Sequence, residues 1–290
     1  MRYEGQLYRP PVEAASLIIQ ATIGCPWNRC TFCAMYKDRK YRARPLPDVL
    51  ADLDAARSAY RSVPSLFLAD GNTVSLPMDD LLVILRHARA VFPELEHVGT
   101  YGGAKFVARK SAAELTALRE AGLSVVYLGL ESGDDETLAR VKKGVTAAQM
   151  IQAGSGLREA GFPVSLYVLV GLGGRDRWRE HALGTATVVN AIRPAVIRPR
   201  TLYVQEGTPL WYQRKRGEFV EAGPREALQE ARLLLDTITV PVQLASDHVT
   251  NYLPLYGRLP EDRATLIAAI DRTLAFDDLS RLRPAHFDHL

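Results

Sequence analysis

The sequence predicts an α/β protein built on a parallel sheet. Short apolar runs rich in Val, Leu and Tyr alternate with longer helical patterns, which is typical of repeated βαβ units. The chain has 290 residues, 47% of them hydrophobic, which suffices for one core of barrel size. We therefore expect six βα units in one sizeable domain.

The elements follow in a regular order, and Pro or Gly marks most of their boundaries. Strands are expected near residues 17–22, 65–69, 97–101, 125–130, 164–170 and 196–204. Helices are expected between them near residues 47–60, 78–91, 111–121, 146–160 and 178–191. A C-terminal extension follows, with helices near 224–238 and 261–274, an apolar run ending at 244, and a tail over 276–290 that shows no clear period.

The only three cysteines, Cys25, Cys30 and Cys33, lie within nine residues directly after the first predicted strand. Structural zinc or a fully ligated iron-sulfur cluster takes four protein ligands, whereas three close thiolates can hold a 4Fe-4S cluster and leave its fourth iron open. Zinc completed by a distant histidine and reduced core thiols without metal are the alternatives. Clustered cysteines without a disulfide framework also predict a reducing, cytoplasmic environment.

With this loop after its first strand, the chain resembles the radical S-adenosylmethionine (radical SAM) superfamily. In that family the residue before the last cysteine is usually aromatic, and Phe32 stands there. The spacing C-x4-C-x2-C has one residue more than the family's usual C-x3-C-x2-C. The resemblance covers about residues 17–210 and is strongest to the oxygen-independent coproporphyrinogen oxidase and Elp3 types.

This resemblance implies a partial (β/α)6 parallel barrel over residues 1–215, with residues 216–290 packed on it as a helical extension and tail. It also implies two cofactors, a 4Fe-4S cluster on the three cysteines and S-adenosylmethionine. In a parallel barrel the ligands gather where the strands end, because the βα loops there carry the functional groups.

After the second strand, Asp70, Gly71 and Asn72 stand where the family often has a Gly-Gly-Glu-like turn that binds the methionyl amino group. By the resemblance, Asp70 or Asn72 supplies the accepting oxygen and Gly71 allows close backbone approach. An ordinary Asp-Gly turn is the alternative.

The fourth strand leads into a Gly-x-Glu-Ser-Gly segment and a basic helix. The resemblance implies that Glu131 and Ser132 hydrogen-bond the ribose, while Arg140 or Lys143 faces the carboxylate of S-adenosylmethionine. A helix-leading carboxylate is the alternative for Glu131.

The fifth and sixth strands end in segments that, by the same resemblance, lie against the adenine. Val170 and Gly171 end the fifth strand, and residues 205–210 follow the sixth. The glycine-rich end of the fifth strand matches no phosphate-binding fingerprint.

With all three cysteines assigned to the cluster, no thiol remains to donate a hydrogen atom, accept a methyl group or bind a second cluster. Candidate catalytic residues are Tyr101 after the third strand and His248 and Tyr252 near the end of the chain. A structural role is the alternative for His248. The basic run at 37–44 is a candidate for binding carboxylates or phosphates, with a solvated loop as the alternative.

The resemblance implies reductive cleavage of S-adenosylmethionine to a 5'-deoxyadenosyl radical that attacks an unidentified small organic molecule, with flavodoxin or ferredoxin as electron donor. A haem or tetrapyrrole carrier without radical turnover and an RNA-modifying radical enzyme are the alternatives. The net charge of +3 argues against a nucleic-acid partner. No apolar run of about 18 residues occurs, so we expect no membrane span.

Overall fold

A computed structural model describes residues 1–279 and 282 of the chain. The strands in this part are β1 Leu17–Gln20, β2 Thr22–Ile23, β3 Arg42–Ala43, β4 Ser65–Ala69, β5 His97–Gly102, β6 Val125–Glu131, β7 Ser165–Val170, β8 Val196–Thr201, β9 Val242–Ser246 and β10 Leu255–Leu259. The α-helices are α1 Leu46–Ala59, α2 Met78–Val91, α3 Ala104–Val107, α4 Ala112–Glu120, α5 Asp135–Arg140, α6 Ala147–Glu159, α7 Trp178–Ile192, α8 Pro209–Lys215, α9 Pro224–Thr237 and α10 Arg263–Leu274. Short 3-10 turns lie at Pro11–Glu13 and Thr73–Ser75.

Eight of the strands form one mostly parallel sheet, which confirms the predicted α/β class. Its strand order is β1-β4-β5-β6-β7-β8-β9-β10. The described pairings from β1 to β9 are parallel, and β10 runs antiparallel to β9. The six predicted βα strands are all present in this order, as a partial barrel requires.

Three details of the predicted strands are corrected. The first predicted strand, 17–22, is split, because Ala21 donates to the Ala69 carbonyl and accepts from the Arg44 amide, so that β2 leaves the sheet to pair with β3. The sixth ends at Thr201 rather than at 204. The strand β10 was missed, because it is an edge strand whose central residues are exposed or only partly buried.

The chain divides into two compact units that interleave along the sequence. The first comprises Met1–Asn28, Cys33–Leu128 and Gln152–Val164, and the second comprises Arg29–Phe32, Gly129–Ile151 and Ser165–Leu290. The proposed domain boundary at 215/216 stays a prediction, and residues 280, 281 and 283–290 of the predicted tail lie outside the described residues.

Each unit has its own apolar core. In the first, the central strand β4 is buried, and the helices α1 and α2 pack against each other. In the second, α9 packs against α7 and β7. Within the described ranges, no helix is both long enough and apolar enough to cross a membrane.

Candidate active site

The cysteine loop begins at a hairpin-like base. The short strands β2 and β3 pair on either side of it, so residues 24–41 form a closed loop. Gly24 has a φ of 72°, a left-handed conformation that favours glycine, and its amide donates to Asp70 Oδ2 at 3.1 Å. Cys25, Cys30 and Cys33 are each partly exposed. The loop therefore presents its thiols at the carboxyl end of β1.

The middle of the loop belongs to the second unit. The Thr31 amide donates to the Val141 carbonyl at 2.9 Å, and the Thr31 carbonyl accepts from the Leu210 amide at 3.0 Å. Phe32 packs against an apolar cluster at the ends of β7 and β8. The members of this end cluster are Val141, Leu172, Leu202, Val204 and Leu210. Backbone bonds and packing thus fix the segment before Cys33.

The turn after β4 contains buried oxygen atoms that have no hydrogen-bond donor among the described residues. The Asp70 carboxyl is fully buried, and its Oδ2 accepts from Gly24 and from Gln20 Nε2, each at 3.1 Å. Asp70 Oδ1 and Asn72 Oδ1 have no hydrogen-bond partner among the described residues. Burial raises the pKa of Asp70 against these hydrogen bonds. An unsatisfied buried acceptor costs about 1–3 kcal/mol, so this turn fits a ligand that brings N–H donors.

Gly71 brings the turn directly against the first cysteine. A Cβ added to Gly71 would lie 2.7 Å from the Tyr36 ring and 3.2 Å from Cys25 Cβ. The buried Tyr36 hydroxyl also lacks a partner in the described part of the chain, and burial raises its pKa, so it stays a neutral donor. Only glycine allows this approach. The predicted turn and the cysteine loop therefore meet.

At the end of β6, Glu131 and Lys143 form an ion pair of 2.9 Å. Glu131 has a φ of 61°, and Lys143 Nζ lies 6.0 Å from the centre of the Phe32 ring. The Ser132 hydroxyl is buried and accepts from the Asp134 amide at 3.0 Å. Lys143 therefore lies beside the cysteine loop, with Glu131 as its partner.

The other predicted cation of this region lies elsewhere. Arg140 is exposed and pairs with Glu136 at 2.6 Å and with Asp176 at 2.9 Å. Its charge is already compensated by these two carboxylates. Of the two basic residues that the sequence offered for the carboxylate of the cofactor, Lys143 has the better position.

A buried ion pair that was not predicted from the sequence lies behind the ends of β6 and β7. The Gly171 amide lies 3.1 Å from both carboxylate oxygens of Glu230. His181 Nδ1 lies 2.8 Å from the same carboxylate, and its Nε2 lies 3.1 Å from the Glu131 carbonyl. Burial lowers the pKa of His181, but the charge of Glu230 and these hydrogen bonds outweigh it and raise the pKa overall.

This pair was missed because its members stand 49 positions apart on two helices. One signal was present in the sequence. Glu230 stands between Ala227 and Leu234, on the apolar face of its helix, where a carboxylate needs a buried partner. The partner itself is decided by the tertiary structure.

The three candidate catalytic residues lie in different surroundings. The ring of Tyr101 lies 5.2 Å from that of Phe67. His248 Nδ1 lies 2.9 Å from Thr250 Oγ1, and burial together with the charge of Arg200 lowers the pKa of His248 to about 4. Tyr252 lines a small pocket of about 30 Å³ in the second unit, and Val170 at the end of β7 lines the same pocket.

Residues 37–41 of the basic run line an open pocket of about 550 Å³ beside Cys25. Most of its cations have partners: Arg39 pairs with Asp38 at 2.8 Å, Arg44 with Asp52 at 2.8 Å, and Arg42 with Glu4 at 2.5 Å. The run therefore keeps little uncompensated charge.

Across residues 1–279 and 282, no three His, Cys, Asp or Glu side chains converge as ligands of a single metal ion. A zinc site gathers its ligands around one ion, whereas the thiolates of a 4Fe-4S cluster bind separate irons. The donor set of three cysteines in one loop fits the cluster.

Residues 19–185, more than half of the chain, match the sequence profile of the radical SAM superfamily. A curated relative is the tRNA uridine(34) acetyltransferase of Methanocaldococcus jannaschii, 27% identical over 117 residues, which are 40% of this chain and 22% of that protein. The match of the profile confirms the superfamily that the sequence predicted.

Solved structures share the fold. Coproporphyrinogen III oxidase from Escherichia coli, a radical SAM enzyme, superimposes with a TM-score of 0.57 at 17% identity, over 77% of this chain and 52% of that one. The archaeal Elp3 of Methanocaldococcus infernus superimposes with a TM-score of 0.53 at 16% identity, over 80% of this chain and 57% of that one. The matched region of this chain thus covers from about a fifth to somewhat over half of the length of each of these three proteins.

Proposed function

Because this chain belongs to the radical SAM superfamily, we propose that Cys25, Cys30 and Cys33 each bind one iron of a 4Fe-4S cluster and leave the fourth iron to S-adenosylmethionine. The chain is a radical SAM enzyme, and enzymes of this class use these two cofactors. The observation that carries the proposal is the contact of the Gly71 turn with Cys25, next to buried oxygen atoms that have no donor.

Bound together, the two cofactors supply a 5'-deoxyadenosyl radical by one-electron cleavage of a carbon-sulfur bond. In the proposal, Asp70 Oδ1 and Asn72 Oδ1 accept N–H donors from the methionyl amino group. Gly71 leaves room at the turn after β4, because any side chain there would meet Tyr36 and Cys25. These residues bind and orient the cofactor.

Lys143 is proposed to approach the carboxylate of S-adenosylmethionine, and Glu131 to exchange part of its bond with Lys143 for the ribose hydroxyls. Ser132 lies next to Glu131, and its hydroxyl can donate while it accepts from Asp134. Val170 and Gly171 offer an apolar strand end for the adenine. The position of Lys143 beside Phe32 supports this assignment over one to Arg140.

We assign the reaction as hydrogen abstraction from, or adenosyl addition to, a small organic molecule, in the cytoplasm and with flavodoxin or ferredoxin as reductant. Tyr101, His248 and Tyr252 are the candidates for contact with the substrate. A second candidate function is RNA modification, which the likeness to a tRNA uridine(34) acetyltransferase over 117 residues favours.

The test is formation of 5'-deoxyadenosine after anaerobic reconstitution with iron and sulfide, in the presence of S-adenosylmethionine and dithionite. The intact protein should form it, and Cys30→Ala should not. Asn72→Leu should keep the iron but bind S-adenosylmethionine about tenfold more weakly, because it loses a hydrogen bond to a charged group. If the intact protein holds about four irons per chain and forms none, a carrier function replaces the proposal.

A further inference from the structure

The strand β8 carries two arginines on the sheet face that the helices leave open. Its residues alternate, and Pro199 and Thr201 line the same pocket as Ala231 and Leu234 of α9. Arg198 and Arg200 therefore point to the opposite face, since successive side chains of a strand alternate between faces. Both are half-buried.

Neither arginine has a carboxylate partner within residues 1–279 and 282. Arg198 Nε donates to Ser165 Oγ at 3.3 Å, and the Arg200 guanidinium lies 4.5 Å from the centre of the Tyr167 ring. No Asp or Glu among the described residues forms an ion pair with either. Arginines that are removed from water are normally paired, so two unpaired ones side by side indicate a place for an external anion.

Acidic side chains in this unit are engaged elsewhere. Glu131 at the end of β6 pairs with Lys143, and the buried Glu230 pairs with His181 behind the sheet. Asp247 is exposed, and its charge acts to raise the pKa of the neighbouring His248 against the larger effects that lower it. None of these three carboxylates forms an ion pair with Arg198 or Arg200.

The two arginines lie toward the end of the sheet where the cysteine loop is held. Arg200 pairs in register with Leu169. Leu169 and Phe32 pack against the same end cluster of apolar residues, and Phe32 directly precedes Cys33. Arg198 lies two positions earlier, about 6–7 Å further down the strand.

We infer that Arg198 and Arg200 bind an oxoanion, a carboxylate or a phosphate, of the small-molecule substrate. Guanidinium groups bind such anions through paired N–H donors, and the spacing of the two fits one or two anionic groups on a compact molecule. The Tyr167 ring contacts the Arg200 guanidinium and Ser165 accepts from Arg198 Nε, so both side chains are held in place. The inference rests on the proposed function, because it names the substrate class of that site.

The test uses reconstituted protein saturated with S-adenosylmethionine, so that the cofactor occupies its own site. Inorganic phosphate and citrate are the probes, in buffers matched in ionic strength with chloride, and calorimetric titration and the melting temperature are the readouts. Both probes should bind and raise the melting temperature of the intact protein. Arg198→Gln and Arg200→Gln should each weaken binding about tenfold or more, since a charge-assisted hydrogen bond is lost.

Two controls remove a cation elsewhere. Arg109→Gln replaces an exposed arginine of the first unit, and Lys40→Gln replaces an exposed lysine of the basic run; both should keep the binding of the probes. Equal binding by all four variants, or loss only in Lys40→Gln, would overturn the inference. Binding of tRNA that depends on Arg198 and Arg200, without binding of the small anions, would overturn it in favour of an RNA substrate.

Failure of this inference can be separated from failure of the proposed function. Formation of 5'-deoxyadenosine by the intact protein reports on the cluster and on binding of S-adenosylmethionine, and it does not require Arg198 or Arg200. An intact protein that forms it but binds neither phosphate nor citrate contradicts only the assignment of Arg198 and Arg200.

Discussion

At the scale of single residues, the most informative feature is a group of buried oxygen atoms at the end of β4 that lack hydrogen-bond partners among the residues that the structure describes. Asp70 and Asn72 each leave one oxygen without a donor within the described ranges, and Tyr36 leaves a hydroxyl. Unsatisfied polar atoms of this kind are rare in folded proteins and call for a ligand or a bound water. Gly71, which lies between Asp70 and Asn72, approaches Cys25 closely, and this is the reason to assign these oxygen atoms to the cofactor.

Gly71→Ala should impair cofactor binding more than folding. The added Cβ would press on the Tyr36 ring and on Cys25, so the turn must shift. We expect S-adenosylmethionine to bind at least about tenfold more weakly, because small displacements of positioning groups are costly. Equilibrium dialysis and iron content per chain measure this.

The matched control is Gly156→Ala on α6, where the added Cβ meets only the Leu115 side chain at 3.3 Å. It should bind the cofactor like the intact protein. Unchanged binding in Gly71→Ala would show that the turn does not approach the cofactor.

His248 should make the protein less stable in mild acid. Burial and Arg200 lower its pKa to about 4, from an ordinary value of 6.5. Between these two pH values the unfolded chain binds more protons than the folded one, so the free energy of unfolding falls as the pH decreases from 6.5 to 4. Because this histidine is only partly buried, solvent screening reduces the loss to on the order of 1 kcal/mol at pH 4.5.

Urea unfolding at pH 7 and at pH 4.5 measures this loss. It should shrink in His248→Asn, which has no proton to bind in this range. It should persist in His87→Asn, which removes a histidine of α2 that pairs with Asp54 at the surface. The same loss in both variants would assign the effect to other groups.

At the scale of elements, α9 connects the C-terminal part of the chain to the strand ends that are proposed to bind the cofactor. Glu230 on this helix reaches the Gly171 amide, and through His181 it reaches the Glu131 carbonyl. A buried ion pair adds little net stability, but removal of one partner leaves an unpaired charge. The helix therefore fixes two loops at once.

Glu230→Leu should reduce the free energy of unfolding by about 2–4 kcal/mol, because it leaves the buried His181 Nδ1 and the Gly171 amide without their acceptor. The double variant His181→Leu with Glu230→Leu should lose less than the sum of the single losses, since it leaves no unpaired charge. Urea unfolding of the three variants gives the interaction energy.

Asp236→Leu is the control, because it removes an exposed acidic residue from the same helix and should cost under about 1 kcal/mol. If the single losses simply add, His181 and Glu230 do not act as a pair.

The elements that were predicted well from the sequence are those in which apolar residues recur with a clear helical or strand period. The long helices and the six barrel strands differ from prediction mainly at their ends, because period and length identify them. The ladder between β2 and β3, two residues long, has no period to detect. The short helices α3 and α8 were not predicted for the same reason.

At the scale of the whole molecule, the charge balance bears on the choice between a small substrate and RNA. The net charge is +3, from 36 basic and 33 acidic residues. Nucleic-acid binding draws its affinity from many phosphate contacts. Most cations of the basic run are already paired.

We therefore expect no retention of tRNA at about 150 mM salt in a filter-binding assay. Any binding at low salt should be weak and should disappear as salt is raised, because few phosphates are contacted. Tight binding at physiological salt, with a steep dependence on salt, would favour RNA modification over a small substrate.

The sequence by itself determined the class of fold, the superfamily and the three cysteines of the proposed cluster. It also located the Asp70 turn, because these features are local: each lies within a few consecutive residues, and a period or a spacing suffices to detect it. The family's pattern placed them at strand ends without any knowledge of distances.

Only the tertiary structure decided between side chains that are far apart in sequence. It placed Lys143 rather than Arg140 beside Phe32, joined His181 to Glu230, and left Arg198 and Arg200 without a carboxylate partner in the described part of the chain. The physical reason is that burial and pairing of charge depend on which strands and helices become neighbours. That choice is made by the packing of the whole chain.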